Sequence, residues 1–123
     1  MCVAALLVEL HVHASQSLKQ KRGVLKSLKQ RIRNRFNVSV AEVAGQETWQ
    51  RATLGCGAVG SDPVELRGRF DRIVDFIEAQ GLAEVTGHDV EMLSLPFETQ
   101  RASEADWAQA DADEYDWQDA EEG

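Results

Sequence analysis

The chain has few of the residues that would support a disulfide-linked or membrane-embedded structure. Of its 123 residues, two are cysteine and two are proline. Two cysteines cannot form a disulfide framework, so we expect both to be small buried hydrophobic residues. The apolar run at residues 2–8 ends at Glu9, and no apolar stretch approaches the ~18 residues that a membrane span needs. The sequence therefore predicts a cytoplasmic protein without a membrane segment.

Acidic side chains are absent from residues 15–37, although the whole chain has a formal net charge of −8. The negative charge is concentrated in residues 98–123, which hold ten acids and one arginine. This composition predicts a globular domain at residues 1–97, followed by an acidic and disordered or weakly helical C-terminal tail. Because the tail also contains Trp107, Tyr115 and Trp117, it suits a segment that docks, for example on the basic helix of its own domain.

Hydrophobic periodicity predicts four strands and two helices within residues 1–97. Asp62 followed by Pro63 is a strong helix start, and Gly81 marks the end of that helix. The order β-α-β-β-α-β predicts an α+β, ferredoxin-like sandwich, in which an antiparallel sheet carries both helices on one face and strands one and three are central. The predicted strands are 2–13, 38–43, 49–59 and 84–95, and the predicted helices are 17–37 and 63–80.

The first predicted helix is basic along one flank and carries eight of the thirteen Lys and Arg residues. Leu25, Leu28 and Ile32 belong to its core-facing stripe, while five cations spaced 3, 4, 3 and 4 residues apart form a row beside it. No acid offsets their mutual repulsion or their unfavourable position near the positive N-terminus of the helix. This pattern fits a polyanion-binding surface as well as it fits the alternative, a solvated face whose lysine stems cover the edge of the core.

We therefore predict a non-enzymatic module that associates with RNA or the ribosome through phosphate contacts. An RNA-recognition motif is excluded, because the outward positions of the central strands carry no aromatic ladder. The predicted phosphate-binding residues are the eight helical cations, with Arg51 as an extension: Lys19, Lys21, Arg22, Lys26, Lys29, Arg31, Arg33, Arg35 and Arg51.

The alternative is a protein-interaction module, most simply a homodimer built on the open face of the sheet. Val3, Ala5 and Leu7 alternate along the first strand and would lie on that face. In this interpretation the charge of the helix is incidental, and the protein has no role with nucleic acid.

The remaining motifs predict no enzyme, cofactor or metal site. Residues 55–60 match G-x-G-x-x-G, but these glycines lie within the third strand, so they indicate close strand packing and not dinucleotide binding. Glu9, His11 and His13 share a strand face and could approach a common metal, but no ligand from a second strand can be placed beside them. An enzyme with a metal at these histidines is the least favoured alternative, and no spacing marks a nucleophile.

Three runs of sequence closely resemble the YlxP-like family of small bacterial proteins, a domain of unknown function. They are SLKQKR at 17–22, SLKQRIRNRFNVSVAEV at 27–43 and WQRA at 49–52, and the resemblance covers about residues 1–97. It implies a ferredoxin-like fold and a bacterial cytoplasmic protein. Because family members are often encoded among translation and ribosome-maturation factors, it also favours RNA or the ribosome over DNA. The family offers no established catalytic residues, and the acidic tail and Gly23 depart from its pattern.

Overall fold

The structure, a computed structural model, describes residues 1–13 and 15–96. These residues form six elements in the predicted order β-α-β-β-α-β, so the prediction of an α+β, ferredoxin-like fold is confirmed. The predicted acidic tail at 98–123, and its docking on the basic helix, lie outside the described residues. The elements are β1 Cys2–His11, α1 Leu18–Arg35, β2 Ser39–Ala44, β3 Arg51–Gly60, α2 Pro63–Gln80 and β4 Glu84–Ser94.

The four strands form one antiparallel sheet in the order β2-β3-β1-β4, with β1 and β3 in the centre as predicted. Alternate residues of β1 are buried, from Cys2 to Leu10, and they join one core with buried residues of both helices. Leu28 and Ile32 of α1 and Phe70 of α2 belong to this core. The opposite face of the sheet has no helix over it in the described part of the chain, and we call it the open face.

Local capping interactions fix the ends of both helices. The side chain of Asp62 accepts a hydrogen bond from the backbone N–H of Val64 at 2.9 Å, and Gly81 ends α2 in the left-handed conformation, with φ of 69°. Ser17 caps α1 in the same way by accepting from the N–H of Gln20 at 3.1 Å. These bonds satisfy backbone groups that have no partner inside the helix.

The pairing of β1 with β4 contains a bulge that decides which side chains meet at the far end of the sheet. Glu9 pairs with Gly87, but the next residue, Leu10, pairs with Val85, so Thr86 has no opposite residue. A shift of one residue moves the following side chains of a strand to the other face.

At the other end of the β1–β4 pair, the N-terminal ammonium donates to Leu95 O at 2.9 Å, and Leu95 N–H donates to Met1 O at 2.8 Å.

The two cysteines and Gly55 of the G-x-G-x-x-G match lie where packing explains them. Cys2 and Cys56 are free thiols buried in the core, and burial raises the pKa of the Cys56 thiol from 9.0 to about 11. Gly55 lies within β3, where an added Cβ would come 2.9 Å from a methyl of Val43 on β2. Close packing between β2 and β3 therefore explains this glycine. No helix within the described ranges is both long and apolar enough to cross a membrane.

Candidate functional site

The predicted row of cations lies along one flank of α1 and faces solvent. We call the five residues the basic row: Lys19, Arg22, Lys26, Lys29 and Arg33. Four of these side chains are exposed and Lys29 is half-buried. From Lys19 to Arg33 the helix rises by about 21 Å at 1.5 Å per residue. The row is therefore long enough to contact several successive phosphates of an extended polyanion.

The basic row is not neutralised by carboxylates of the described residues. Within residues 1–13 and 15–96, the ion pairs join Lys21 to Glu42 and Arg69 to Glu65, and His13 contacts Glu84. None of them includes a member of the row. The first turn of α1 also lacks an acidic residue. The positive charge that the sequence predicted on this flank is therefore present in the folded domain.

Lys21 does not belong to this surface, because its side chain is completely buried under α1. Its Nζ donates hydrogen bonds to Gly45 O at 2.5 Å and to Arg51 O at 3.2 Å. The same ammonium lies 3.0 Å from Oε2 of Glu42, a carboxylate that is 16% exposed. Oε2 makes no well-aligned hydrogen bond, so this contact is an ion pair without hydrogen-bond geometry.

The buried ammonium of Lys21 joins three separate segments of the chain. It connects α1 to Glu42 of β2 and to both ends of the β2–β3 connection, at Gly45 and Arg51. Removing one partner of such a pair leaves the other charge without compensation in a poorly solvated place. The buried position of Lys21 thus does not suit its predicted role as a phosphate ligand.

The sequence contained a signal for the burial of Lys21. It precedes Leu25 by four residues and Leu28 by seven, so it lies on the apolar stripe that these residues define. The stripe continues to Ile32, and all four side chains are buried. A lysine in line with such a stripe indicates a buried partner elsewhere in the fold, here Glu42 on the helix-facing side of β2.

Two more predicted cations lie on the other flank of α1 and contact α2. Arg31 Nη1 donates to Oε1 of Gln80 at 2.7 Å, and the guanidinium carbon of Arg35 lies 5.3 Å from the ring centroid of Phe76. Contacts of this kind hold the guanidinium groups in place without neutralising them. Arg31 and Arg35 therefore add positive charge to α1, but they also contribute to packing between the helices.

Arg51 is exposed, but it is separated from the basic row by the sheet. It pairs with His11 across β3 and β1, and the next residue along, Ala52, is buried against the helices. Arg51 therefore lies on the open face, whereas α1 covers the opposite face. It borders a depression of about 620 Å³ together with Glu9, His11 and Thr53.

An arginine of α2 that the sequence did not single out lies near the end of α1. Arg72 borders an open depression of about 620 Å³ together with Arg35, Phe36, Asn37 and Arg69. Arg69 is bound there to Glu65 and to Asn37 O. The sequence gives no signal for Arg72, because the two helices are distant along the chain and meet only through the fold.

The groups in these surfaces suit binding of anions through fixed positive charge. The described residues also contain one set of three potential metal ligands, His11, His13 and Glu84, at the opposite end of the sheet from the Met1–Leu95 contact. This set is separate from the basic row.

Comparison with known proteins gives the family of the chain. A profile of the family described as "protein of unknown function (DUF503)" matches residues 3–90. The uncharacterised protein YlxP of Bacillus subtilis (strain 168) is 41% identical over 68 residues, which is 55% of this chain and 74% of YlxP. The match to the family profile includes β1, α1, β2, β3 and α2 and most of β4. The chain therefore belongs to the DUF503 family, as its resemblance to YlxP-like proteins predicted.

Proposed function

We propose that this domain binds RNA, free or within the ribosome, through phosphate contacts made by the basic row. The observation that carries the proposal is a flank of α1 with five cations and no carboxylate partner among the described residues. The role is one of binding, with no chemical step. Lys21 is excluded from the interface and Arg51 lies on another face, so the basic row is its centre, and Arg31 and Arg35 add positive charge on the other flank of α1.

The energetics of α1 support an external anionic partner. Like-charged neighbours three or four residues apart cost about 0.2–0.5 kcal/mol per pair. Lys19, near the start of the helix, also opposes the macrodipole. Residues 15–37 carry a charge of +8 by sequence, and the Lys21–Glu42 pair reduces this to +7. Bound phosphates would relieve both kinds of repulsion.

The expected contacts are to the backbone of the nucleic acid, with little reading of sequence. The outward positions on the two central strands include Glu9, His11, Arg51, Thr53 and Gly55, which form no aromatic ladder for stacking bases. Phosphate contacts alone give affinity that depends strongly on salt and weakly on sequence. For five contacts to single-stranded RNA, log K should fall with log[salt] with a slope of about −3.5.

A salt titration with paired variants tests this proposal. We expect Lys26→Glu/Lys29→Glu to weaken binding of the full chain to a fluorescent single-stranded RNA and to reduce the salt slope to about −2, since three contacts remain. Co-sedimentation with ribosomes should weaken in parallel. Arg33 is left intact because it donates to Val40 O at 2.5 Å and so has a structural contact.

The charge-matched control compares Lys26→Glu with Arg67→Glu, an exposed arginine on α2. Each change alters the net charge by the same amount. Only the change in α1 should lower affinity appreciably. Unchanged RNA affinity and ribosome association in the double variant, or equal losses in the two single variants, would contradict a specific role of the basic row.

A second candidate function is self-association through the open face. Val59, Val3 and Leu93 form one cross-strand row on adjacent strands, and Leu7 lies four residues farther along β1 on the same face. Val59 is 60% exposed, Leu93 58% and Leu7 46%. Exposed apolar side chains grouped in this way are typical of protein interfaces.

Light scattering over a range of protein concentrations tests the second candidate. A homodimer through this face should dissociate in the variant Leu7→Glu, because the glutamates of two copies would face an apolar surface. Ser39, exposed on β2, supplies the control Ser39→Glu at the margin of the same face. A wild-type chain that stays monomeric at high concentration removes this candidate.

A further inference from the structure

The end of β1 and the start of β4 bring two histidines and a glutamate together at one edge of the fold. His11 is the last residue of β1, and Glu84, the first residue of β4, is its direct partner across the strands. His13 follows two residues after His11. The bulge at Thr86 places Glu84 in this position, because the pairing on the other side of the bulge would set Val85 opposite His11.

The possible ligand atoms of these three side chains point at one another. His11 Nδ1 lies 3.1 Å from His13 Nε2, and the same Nε2 contacts Oε2 of Glu84. The imidazole rings are nearly perpendicular, with centroids 4.0 Å apart, and one ligand atom from each residue falls within 4.8 Å of the others. Four bonds of 2.0–2.1 Å in a tetrahedron separate neighbouring ligand atoms by about 3.4 Å, so the spacing of the two nitrogens is close to that of zinc ligands.

Neither tautomer of a neutral His13 lets its Nε2 form good hydrogen bonds with both His11 and Glu84. A neutral imidazole has one protonated and one unprotonated ring nitrogen. If His13 Nε2 carries its proton, it can donate to Glu84, but it then has no lone pair to accept from His11. If Nε2 is unprotonated, it can accept from His11, but its lone pair then faces the carboxylate. A cation accepts a lone pair from each of the three atoms at once.

We propose that His11, His13 and Glu84 form a binding site for a divalent transition metal ion, with Zn²⁺ as the expected ion. Two imidazole nitrogens and one carboxylate oxygen are ligands that zinc prefers, and three protein ligands leave a coordination position for water. The side chains of His13 and Glu84 are 62% and 59% exposed, so water can reach that position. The ion would tie the end of β1 to the start of β4.

Other strong zinc ligands in the chain are placed elsewhere. Cys2 and Cys56 are buried in the core beneath the helices. The chain has three histidines, and the third, His88, lies midway along the edge strand β4, where it pairs with Val8, and is outside the set. Binding at the proposed site can therefore be distinguished from binding at these residues by single substitutions.

Calorimetric titration of the tag-free full chain with ZnCl₂ tests the proposal. We expect one Zn²⁺ per chain for the wild type, and an affinity at least about tenfold lower for His13→Ala and for Glu84→Gln. His88→Ala is the matched control and should bind as the wild type does. Because His13 and Glu84 are exposed, these variants should fold, which circular dichroism checks. Zn²⁺ should also raise the melting temperature of the wild type and of His88→Ala more than that of His13→Ala.

Cobalt provides an independent readout of the ligand geometry. Co²⁺ in a site of low coordination number gives visible absorption bands, which we expect for the wild type and His88→Ala and not for His13→Ala. Absence of zinc binding in the wild type would overturn the proposal. Equal zinc affinities in the wild type, His13→Ala and Glu84→Gln would also overturn it, because the ion would then be held elsewhere, for example by the acids of residues 98–123.

Discussion

Replacing Lys21 by methionine should destabilise the domain far more than the same change at Lys19, which lies on the same helix two residues earlier. The ammonium of Lys21 is fully buried beside Glu42 and hydrogen-bonded to two backbone carbonyls, whereas Lys19 is exposed. Removing one member of a buried ion pair costs about 3–5 kcal/mol. A substitution at an exposed site without such contacts usually changes stability by less than about 0.5 kcal/mol.

This loss is large compared with the total stability of a domain, which is about 5–15 kcal/mol. For a domain of 60–100 residues, 1 kcal/mol corresponds to about 4–8 °C, so Lys21→Met should lower the melting temperature by at least about 12 °C. Urea unfolding followed by circular dichroism measures the free energy directly. A loss below about 1 kcal/mol for Lys21→Met would refute the reasoning.

A double variant separates the ion pair from the loss of packing. In Lys21→Met/Glu42→Gln neither charge remains, so no carboxylate is left without its partner. We expect the double variant to lose less stability than the two single variants lose in sum, with a difference of about 0.5–3 kcal/mol. Additive losses would show that the two side chains do not interact.

Two further predictions concern stability at single positions. Gly81→Ala should lower the free energy of unfolding by about 1–2 kcal/mol, because φ at Gly81 is 69°. Gly23→Ala should instead stabilise α1 by up to about 1 kcal/mol, because no atom lies within 4 Å of a new Cβ. Equal effects of the two changes in urea unfolding would contradict this reasoning. Burial raises the pKa of Cys56 from 9.0 to about 11, so the thiol of the unfolded chain loses its proton first as pH rises. The free energy of unfolding should therefore fall by about 2–3 kcal/mol between pH 9 and 11 relative to Cys56→Ala, and parallel pH profiles of the two proteins would count against it.

Features governed by neighbouring residues could be predicted from the sequence. Asp62, Pro63 and Gly81 set the ends of α2 at the predicted residues, since capping depends on a few adjacent positions. The alternation along β1 gave the correct division between its buried and outward side chains. The ends of the other elements differ by a few residues: α1 spans 18–35 instead of 17–37, and β3 begins at 51 instead of 49.

Features that depend on contacts between distant segments could not be predicted. The apolar stripe indicates that Lys21 is buried, but its partner, Glu42, is twenty-one residues away and meets it only in the fold, so the pairing could not be predicted. Glu84 could not be placed beside the histidines because the register of β4 against β1 changes at Thr86, and a one-residue shift changes the face on which a side chain lies. The position of the basic row depends only on helical spacing and on no contact between distant segments. The structure places its five residues where that spacing predicts.

The paired ends of β1 and β4 determine how the domain responds to mechanical force. Met1 and Leu95 hold each other by two backbone hydrogen bonds, and the ladder between the strands starts at that point. Because hydrogen bonds in an antiparallel pair run across the strands, tension applied between residues 1 and 96 would load them one after another. The sheet would unzip from this end at low force, and the helices would be uncovered only after β4 had peeled away.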